Sequence, residues 1–227
     1  MSKDKINYIL SSPIEQSVAE RGLSPEAVWL DRENSREKGV RRCEAIFRMI
    51  SRQHPFTLLD VGCGPGFAVP FLEERYGSVE GSYLGIDVSE ALVAEARRLW
   101  PAQRFEVRDI LEAPLPKESF EFSALNGVLT SKYDLSHQEM ENFSCALLQQ
   151  AWKATNKALS FNVMSTHVDW TRPDLFHWSM DEAVAFCVSK LSRHVNVIAD
   201  YGLYEYTVQV FRTPAPRGSI PEAWTKL

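Results

Sequence analysis

Short apolar runs alternate along the chain with longer segments whose apolar positions recur every three or four residues. Such a pattern predicts strands buried in a largely parallel sheet and helices that cover it. The runs place strands over residues 56–61, 83–88, 104–108, 120–126, 158–164, 194–199 and 204–212. In the last of these, Tyr204, Tyr206, Val208 and Val210 alternate strictly with Glu205, Thr207 and Gln209, and the tight turn at Tyr201-Gly202 precedes them. That combination marks an antiparallel strand. The expected fold is α/β: a Rossmann-like seven-stranded mostly parallel sheet, its last strand antiparallel, with helices on both faces.

Helix starts are marked by Ser136 with Glu139 and Ser179 with Glu182, each an S-x-x-E spacing that predicts a capping box. Behind the first of them, Met140, Phe143, Leu147 and Ala151 form one apolar stripe that should lie on the sheet. Ser24-Pro25-Glu26 opens a shorter helix containing Trp29, and residues 40–50 form another before the first strand. Neither repeat nor linker interrupts this order. The chain reads as one domain, with a helical extension or lid over residues 1–39, a core over 40–212 and a tail over 213–227. Two stretches escape the regular pattern, 127–136 and 165–178. Both follow strand carboxyl ends, where open α/β sheets bind ligands. The second is long and rich in polar and aromatic side chains, and it is the expected acceptor pocket.

Composition narrows the function. With 227 residues, 44% hydrophobic and 24% charged, the chain can bury a real core. A net charge of -5 disfavours a nucleic-acid or anionic-membrane partner. Cys43, Cys63, Cys145 and Cys187 show no C-x-x-C pairing, so reduced thiols are expected, without a metal site. The amino terminus lacks the apolar core of a signal peptide, and no run reaches the roughly 20 apolar residues of a membrane helix. A cytoplasmic location is the expectation.

The most specific run is Leu59-Asp60-Val61-Gly62-Cys63-Gly64-Pro65-Gly66, a strand that feeds a glycine loop and then a helix. Its glycines allow positive φ and close approach of the backbone to a ligand. Asp87 ends the next strand, 87 − 66 = 21 residues after the last glycine, where a carboxylate reaches a ribose. A dinucleotide fingerprint would need glycine where Phe67 stands, and Asp60 would repel a pyrophosphate. A neutral or cationic ligand suits the loop better.

This run resembles motif I of the class I S-adenosylmethionine-dependent methyltransferases. The likeness continues through Leu84-Gly85-Ile86-Asp87-Val88-Ser89, Phe105-Glu106-Val107-Arg108-Asp109-Ile110 and residues 120–126. It implies a small-molecule methyltransferase that uses S-adenosyl-L-methionine. By that resemblance Gly62, Cys63, Gly64 and Gly66 would cradle the methionine portion with Asp60 near its ammonium. Asp87 would accept hydrogen bonds from the ribose hydroxyls and Asp109 with the backbone at Ile110 would meet the adenine amine, and Val88 and Asn126 would also belong to the cofactor site. The physical logic agrees, because carboxylates complement an ammonium, a diol and an exocyclic amine, all of them donors.

The acceptor is expected to be a small metabolite methylated on oxygen or nitrogen. Many relatives carry a polar or acidic residue after the fourth strand where this chain has Asn126-Gly127, so the base is sought among His137, His167, Asp169 and His177, in or beside the two irregular stretches. The alternative is a non-catalytic cofactor-binding module that acts through a partner protein. Arg41 and Arg42 read as a solvated basic stripe on their helix, or as partners for the methionine carboxylate. Trp170, Phe176 and Trp178 read equally as pocket wall and as ordinary core.

Overall fold

The computed structural model describes residues 3–28, 35–51 and 55–214. Trp29 and residues 215–227 of the tail lie outside the described residues. Seven strands form one sheet in the order β3-β2-β1-β4-β5-β7-β6. They are β1 (Leu58–Val61), β2 (Tyr83–Asp87), β3 (Arg104–Val107), β4 (Phe120–Leu129), β5 (Thr155–Met164), β6 (His194–Ile198) and β7 (Glu205–Phe211). The first five pair in parallel, and β7 runs antiparallel to both β5 and β6. All seven expected strands are present. β4 continues three residues past its expected end, through a register irregularity between Leu125 and Leu129 where Gly127 takes φ +82°.

Alternation along the strands divides the core between the two faces. Leu58, Tyr83, Ala124 and Ala158 pack under α3 (Ser35–Ile46), α4 (Ala68–Tyr76) and α5 (Glu90–Leu99). Their neighbours Leu59, Leu84, Leu125 and Leu159 point the other way, toward α6 (His137–Ala154) and α7 (Met180–Lys190). All four of these leucines are at most 2% exposed, and each buried side chain of this size stabilises by about 1.5–3 kcal/mol. The two-faced burial explains why the central strands read as apolar runs rather than alternating ones.

The capping residues act as their spacing predicts, with one difference. Ser136 and Glu139 form the reciprocal box, Ser136 Oγ accepting from the Glu139 amide and Glu139 Oε2 from the Ser136 amide. Ser179 Oγ also accepts from the Glu182 amide, but the Glu182 carboxylate takes the Ser179 hydroxyl instead of its amide. Ahead of the sheet, α1 (Lys3–Arg21) and α2 (Pro25–Val28) precede α3. From α1, Ile6, Ile9 and Leu10 pack on the α6 side of the core.

The alternating strand β7 is buried on both faces. Its polar face lies against α3, where Gln209 Nε2 donates to the Ala45 carbonyl at 3.1 Å and Glu205 receives Arg42. Arg42 is therefore no solvated stripe. Its Nε donates to the two Glu205 oxygens at 2.9 and 3.0 Å, and the side chains are 14% and 3% exposed. Among the described residues no helix is long and apolar enough to cross a membrane, and no group of three metal-ligating side chains occurs.

Candidate functional site

Strand order reverses between β1 and β4, since β2 and β3 extend the sheet one way and β4 onward the other. At such a switch point the loops after neighbouring strands splay apart and leave a crevice at the carboxyl ends. A cavity of about 220 Å³ lies there. Its walls come from the β1–α4 loop, the ends of β2 to β4, α3, α6 and, across the top, α1.

The glycine loop is anchored by backbone bonds before any ligand is considered. Amides of Gly62 and Cys63 donate to the Ile86 carbonyl at 2.8 and 3.1 Å, and that of Gly64 donates to Asp87 Oδ2 at 2.8 Å. Gly62, Gly64 and Gly66 have φ of +72°, +52° and +76°. Their reasons for lacking a side chain differ. A Cβ on Gly62 would stand 2.3 Å from Val128 Cγ2, and one on Gly66 would stand 2.8 Å from Trp100 Cδ1. At Gly64 the nearest atom is Val28 Cγ1 at 4.0 Å, so this glycine alone faces open space. Gly66 is packed against Trp100 and Phe105 and is not among the residues that line the cavity.

Three carboxylates line the cavity, those of Asp60, Asp87 and Asp109. Asp60, at the end of β1, is 2% exposed and accepts the Tyr83 hydroxyl at 2.8 Å. Burial pushes its carboxyl up to about 7, against the lowering effect of that hydrogen bond, and the nearby Asp87 adds to the rise. Asp87 accepts from the Gly64 and Ser89 amides, leaving further lone pairs toward the cavity. Its carboxyl is also raised, first by burial. Asp109 accepts from the Leu111 amide and from Asn7 Nδ2, both at 2.8 Å, which ties α1 to the end of β3.

Cys63, Val88, Ile110 and Asn126 also line the cavity. Burial raises the Cys63 thiol well above its usual range and the Cys43 thiol to about 12, so neither is a ready nucleophile. Asn126 Nδ2 lies 3.6 Å from Cys43 Sγ, while its Oδ1 is buried without a partner. The next amide, of Gly127, donates to Asn162 Oδ1 at 2.7 Å, and Asn162 Nδ2 donates to Glu205 Oε2 at 2.6 Å. A continuous polar chain thus runs from the end of β4 through β5 and β7 to Arg42, which itself lines the cavity.

The structure does not bring His137, His167 or Asp169 into the cavity. His137 Nε2 is within 3.0 Å of the His177 carbonyl, and His177 Nδ1 within 2.7 Å of the Ser165 carbonyl, so both rings fasten loops. His167 and Asp169 are exposed beyond β5. Phe176 and Trp178, 0% and 1% exposed, are core rather than pocket wall. In place of residues 165–178, the cavity is closed by Thr130, Ser131 and Tyr133 from the shorter stretch and by Leu10, Ser11 and Ile14 from α1. Asn7 carries no sequence signal and the pairing of Arg42 with Glu205 none of short range, because both roles depend on residues more than a hundred positions away. The one sequence signal for Arg42 was Glu205, the single charged side chain in β7.

A methyltransferase-domain family matches residues 58–149, from the start of β1 into α6. A Mycobacterium tuberculosis protein whose name assigns it to the methyltransferases is 29% identical over 168 residues, 72% of this chain and 97% of that protein. Among solved structures, the Burkholderia thailandensis 1,6-didemethyltoxoflavin-N1-methyltransferase, with its substrate and S-adenosylhomocysteine bound, has a TM-score of 0.64 at 14% identity, covering 94% of this chain and 91% of that one. A SAM-dependent methyltransferase from Aquifex aeolicus has a TM-score of 0.57 at 20% identity, covering 84% of this chain and all of its own.

Proposed function

We propose that this chain, which belongs to the class I S-adenosylmethionine-dependent methyltransferase family, transfers a methyl group to an oxygen or nitrogen of a small metabolite. The observation that carries the reading is the meeting of Asp60, Asp87 and Asp109 around one cavity whose glycine loop is open at Gly64 alone. The cofactor offers an ammonium, a ribose diol and an adenine amine, and each is a donor for one of these carboxylates. When bound, it supplies a methyl group already activated on sulfur.

The residues of this chain bind and align. Asp87, fixed by the Gly64 and Ser89 amides, would hold the ribose hydroxyls. Asp60 would face the ammonium, Asp109 and the Ile110 backbone the adenine edge, with Gly62, Cys63 and Gly64 beside the methionine portion and Val88 and Asn126 completing the walls. Helix α1, within the extension 1–39, would cover the cleft and exclude water. Alignment of the acceptor within about 3–3.5 Å of the methyl carbon is the main catalytic demand. The experiment is incubation with isotopically methyl-labelled cofactor and a fractionated metabolite extract, followed by mass spectrometry. A labelled product of low mass supports the reading, and label found only on macromolecules contradicts it.

A further inference from the structure

The cavity has two chemically distinct halves. Its carboxylates lie at the ends of β1, β2 and β3. Beyond Asn126 the lining adds the apolar side chains of Val128, Phe143 and Leu147, with Leu10 and Ile14 from α1. Among the described lining residues there is neither histidine nor lysine, and each of the three carboxylates already accepts hydrogen bonds within the protein. In the apolar half Thr130 Oγ1 is spent on the Gly127 carbonyl at 2.8 Å. Ser131 and Tyr133 carry the other two hydroxyls of this stretch that line the cavity.

Tyr133 is held there at a cost. Its φ of +47° lies in the left-handed region, uncommon for an aromatic residue and tolerated only where the surroundings over-determine it. Here they do. Amides of Lys132 and Tyr133 both donate to the Asp174 carbonyl, at 2.8 and 3.0 Å, and Lys132 Nζ donates to the Leu135 carbonyl at 2.8 Å. The stretch 165–178, outside the cavity, thereby fixes the residue that lines it.

We propose that this half of the cleft takes an apolar-bodied acceptor presenting an oxygen already ionised at neutral pH, a carboxylate in the simplest case, and that Tyr133 orients this oxygen by donating a hydrogen bond. The inference rests on the methyltransferase reading and adds the acceptor class. Its chemistry balances without a base: the oxygen lone pair forms the new O–CH3 bond while the C–S electron pair returns to sulfur, and no proton moves. A hydroxyl donor is the group such a step needs, since it aligns an oxyanion without competing for its charge. Burial raises the Tyr133 phenol above its usual range, which keeps it a donor. An apolar wall also strips water from the oxyanion beside the cationic sulfur.

The test uses the full chain saturated with S-adenosylhomocysteine and titrated by calorimetry with benzoate, cinnamate and octanoate, with benzyl alcohol and benzylamine as uncharged and cationic counterparts. Methyl transfer to each is then followed with labelled cofactor. At least one carboxylate should bind about 10-fold more tightly than either counterpart and be methylated. Tyr133→Phe should lower turnover on it by about 10- to 100-fold, with S-adenosylhomocysteine affinity and the unfolding midpoint unchanged. Ser131→Ala should do the same more weakly. Preference for the amine or the alcohol, no binding by any carboxylate, or full activity in Tyr133→Phe would each overturn the proposal. Failure to bind S-adenosylhomocysteine at all is a distinct result, which overturns the methyltransferase reading and the proposal with it.

Discussion

The two irregular segments after β4 and β5 lie side by side, yet they do different work. Residues 130–136 leave the strand that neighbours β1 at the switch point, and Thr130, Ser131 and Tyr133 line the cleft. Residues 165–178 leave a strand one position farther out. They reach the cleft only by propping the first segment, through the Phe176 amide on the Thr130 carbonyl and the Asp174 carbonyl under Lys132 and Tyr133. Phe176 and Trp178 pack with ring centroids 5.6 Å apart and planes tilted by 37°, and are sealed in the core. Position after a strand end is thus insufficient to make a binding loop.

The difference can be broken most forcefully at Phe176. If the outer segment is a brace, Phe176→Ala should cost about 3–5 kcal/mol of stability in chemical denaturation. Cofactor affinity measured under native conditions should be little changed. A loss below about 1 kcal/mol would show that the segment is not the packed support described here.

A smaller effect is expected from pH at the cleft itself. The Asp60 carboxyl stands at about 7 because burial disfavours its charged form. A cofactor ammonium beside it favours the carboxylate, so its pKa falls in the complex and binding releases a proton. Affinity for S-adenosylmethionine should therefore rise from about pH 5.5 toward pH 7.5, by up to about 10-fold per unit below the free-protein pKa. Asp60→Asn should flatten the profile. A parent profile already flat over that range would remove Asp60 from the ammonium site.

The smallest effects belong to His167→Ala and Asp169→Ala. Both side chains are exposed on the outer segment, away from the cavity. Turnover on an identified acceptor should stay within about 2-fold of the parent, as surface changes usually do. A large fall in turnover would mean that the outer segment contributes to the acceptor site after all.

How much of this was legible in the chain depends on the range over which each signal acts. The loop Gly62 to Gly66 and its partner Asp87 are readable because strand, turn and acid occupy a short stretch with rigid spacing. The strands were readable for the same reason, as local runs. What alternation could not convey was the burial of the polar face of β7. Glu205, Thr207 and Gln209 look solvent-facing until α3 is laid against them and Arg42, 163 positions away, supplies the charge partner. Tyr133 was silent too, since its placement depends on the Asp174 carbonyl and on a backbone angle that its residue type disfavours. The histidines were ambiguous because imidazole chemistry suits catalysis and loop fastening equally, and the carbonyl oxygens facing His137 and His177 favour the second.

The central claim, that the carboxylate-lined half of this cleft holds S-adenosylmethionine and its product, is tested most directly at Asp87. Calorimetric titration of S-adenosylhomocysteine into the parent should give saturable binding at one site. The same titration of Asp87→Ala should be weaker by about 10- to 100-fold, the loss of charge-assisted hydrogen bonds to the ribose, with the unfolding midpoint little changed. Equal affinity in the two proteins, or no binding by the parent, would contradict the account.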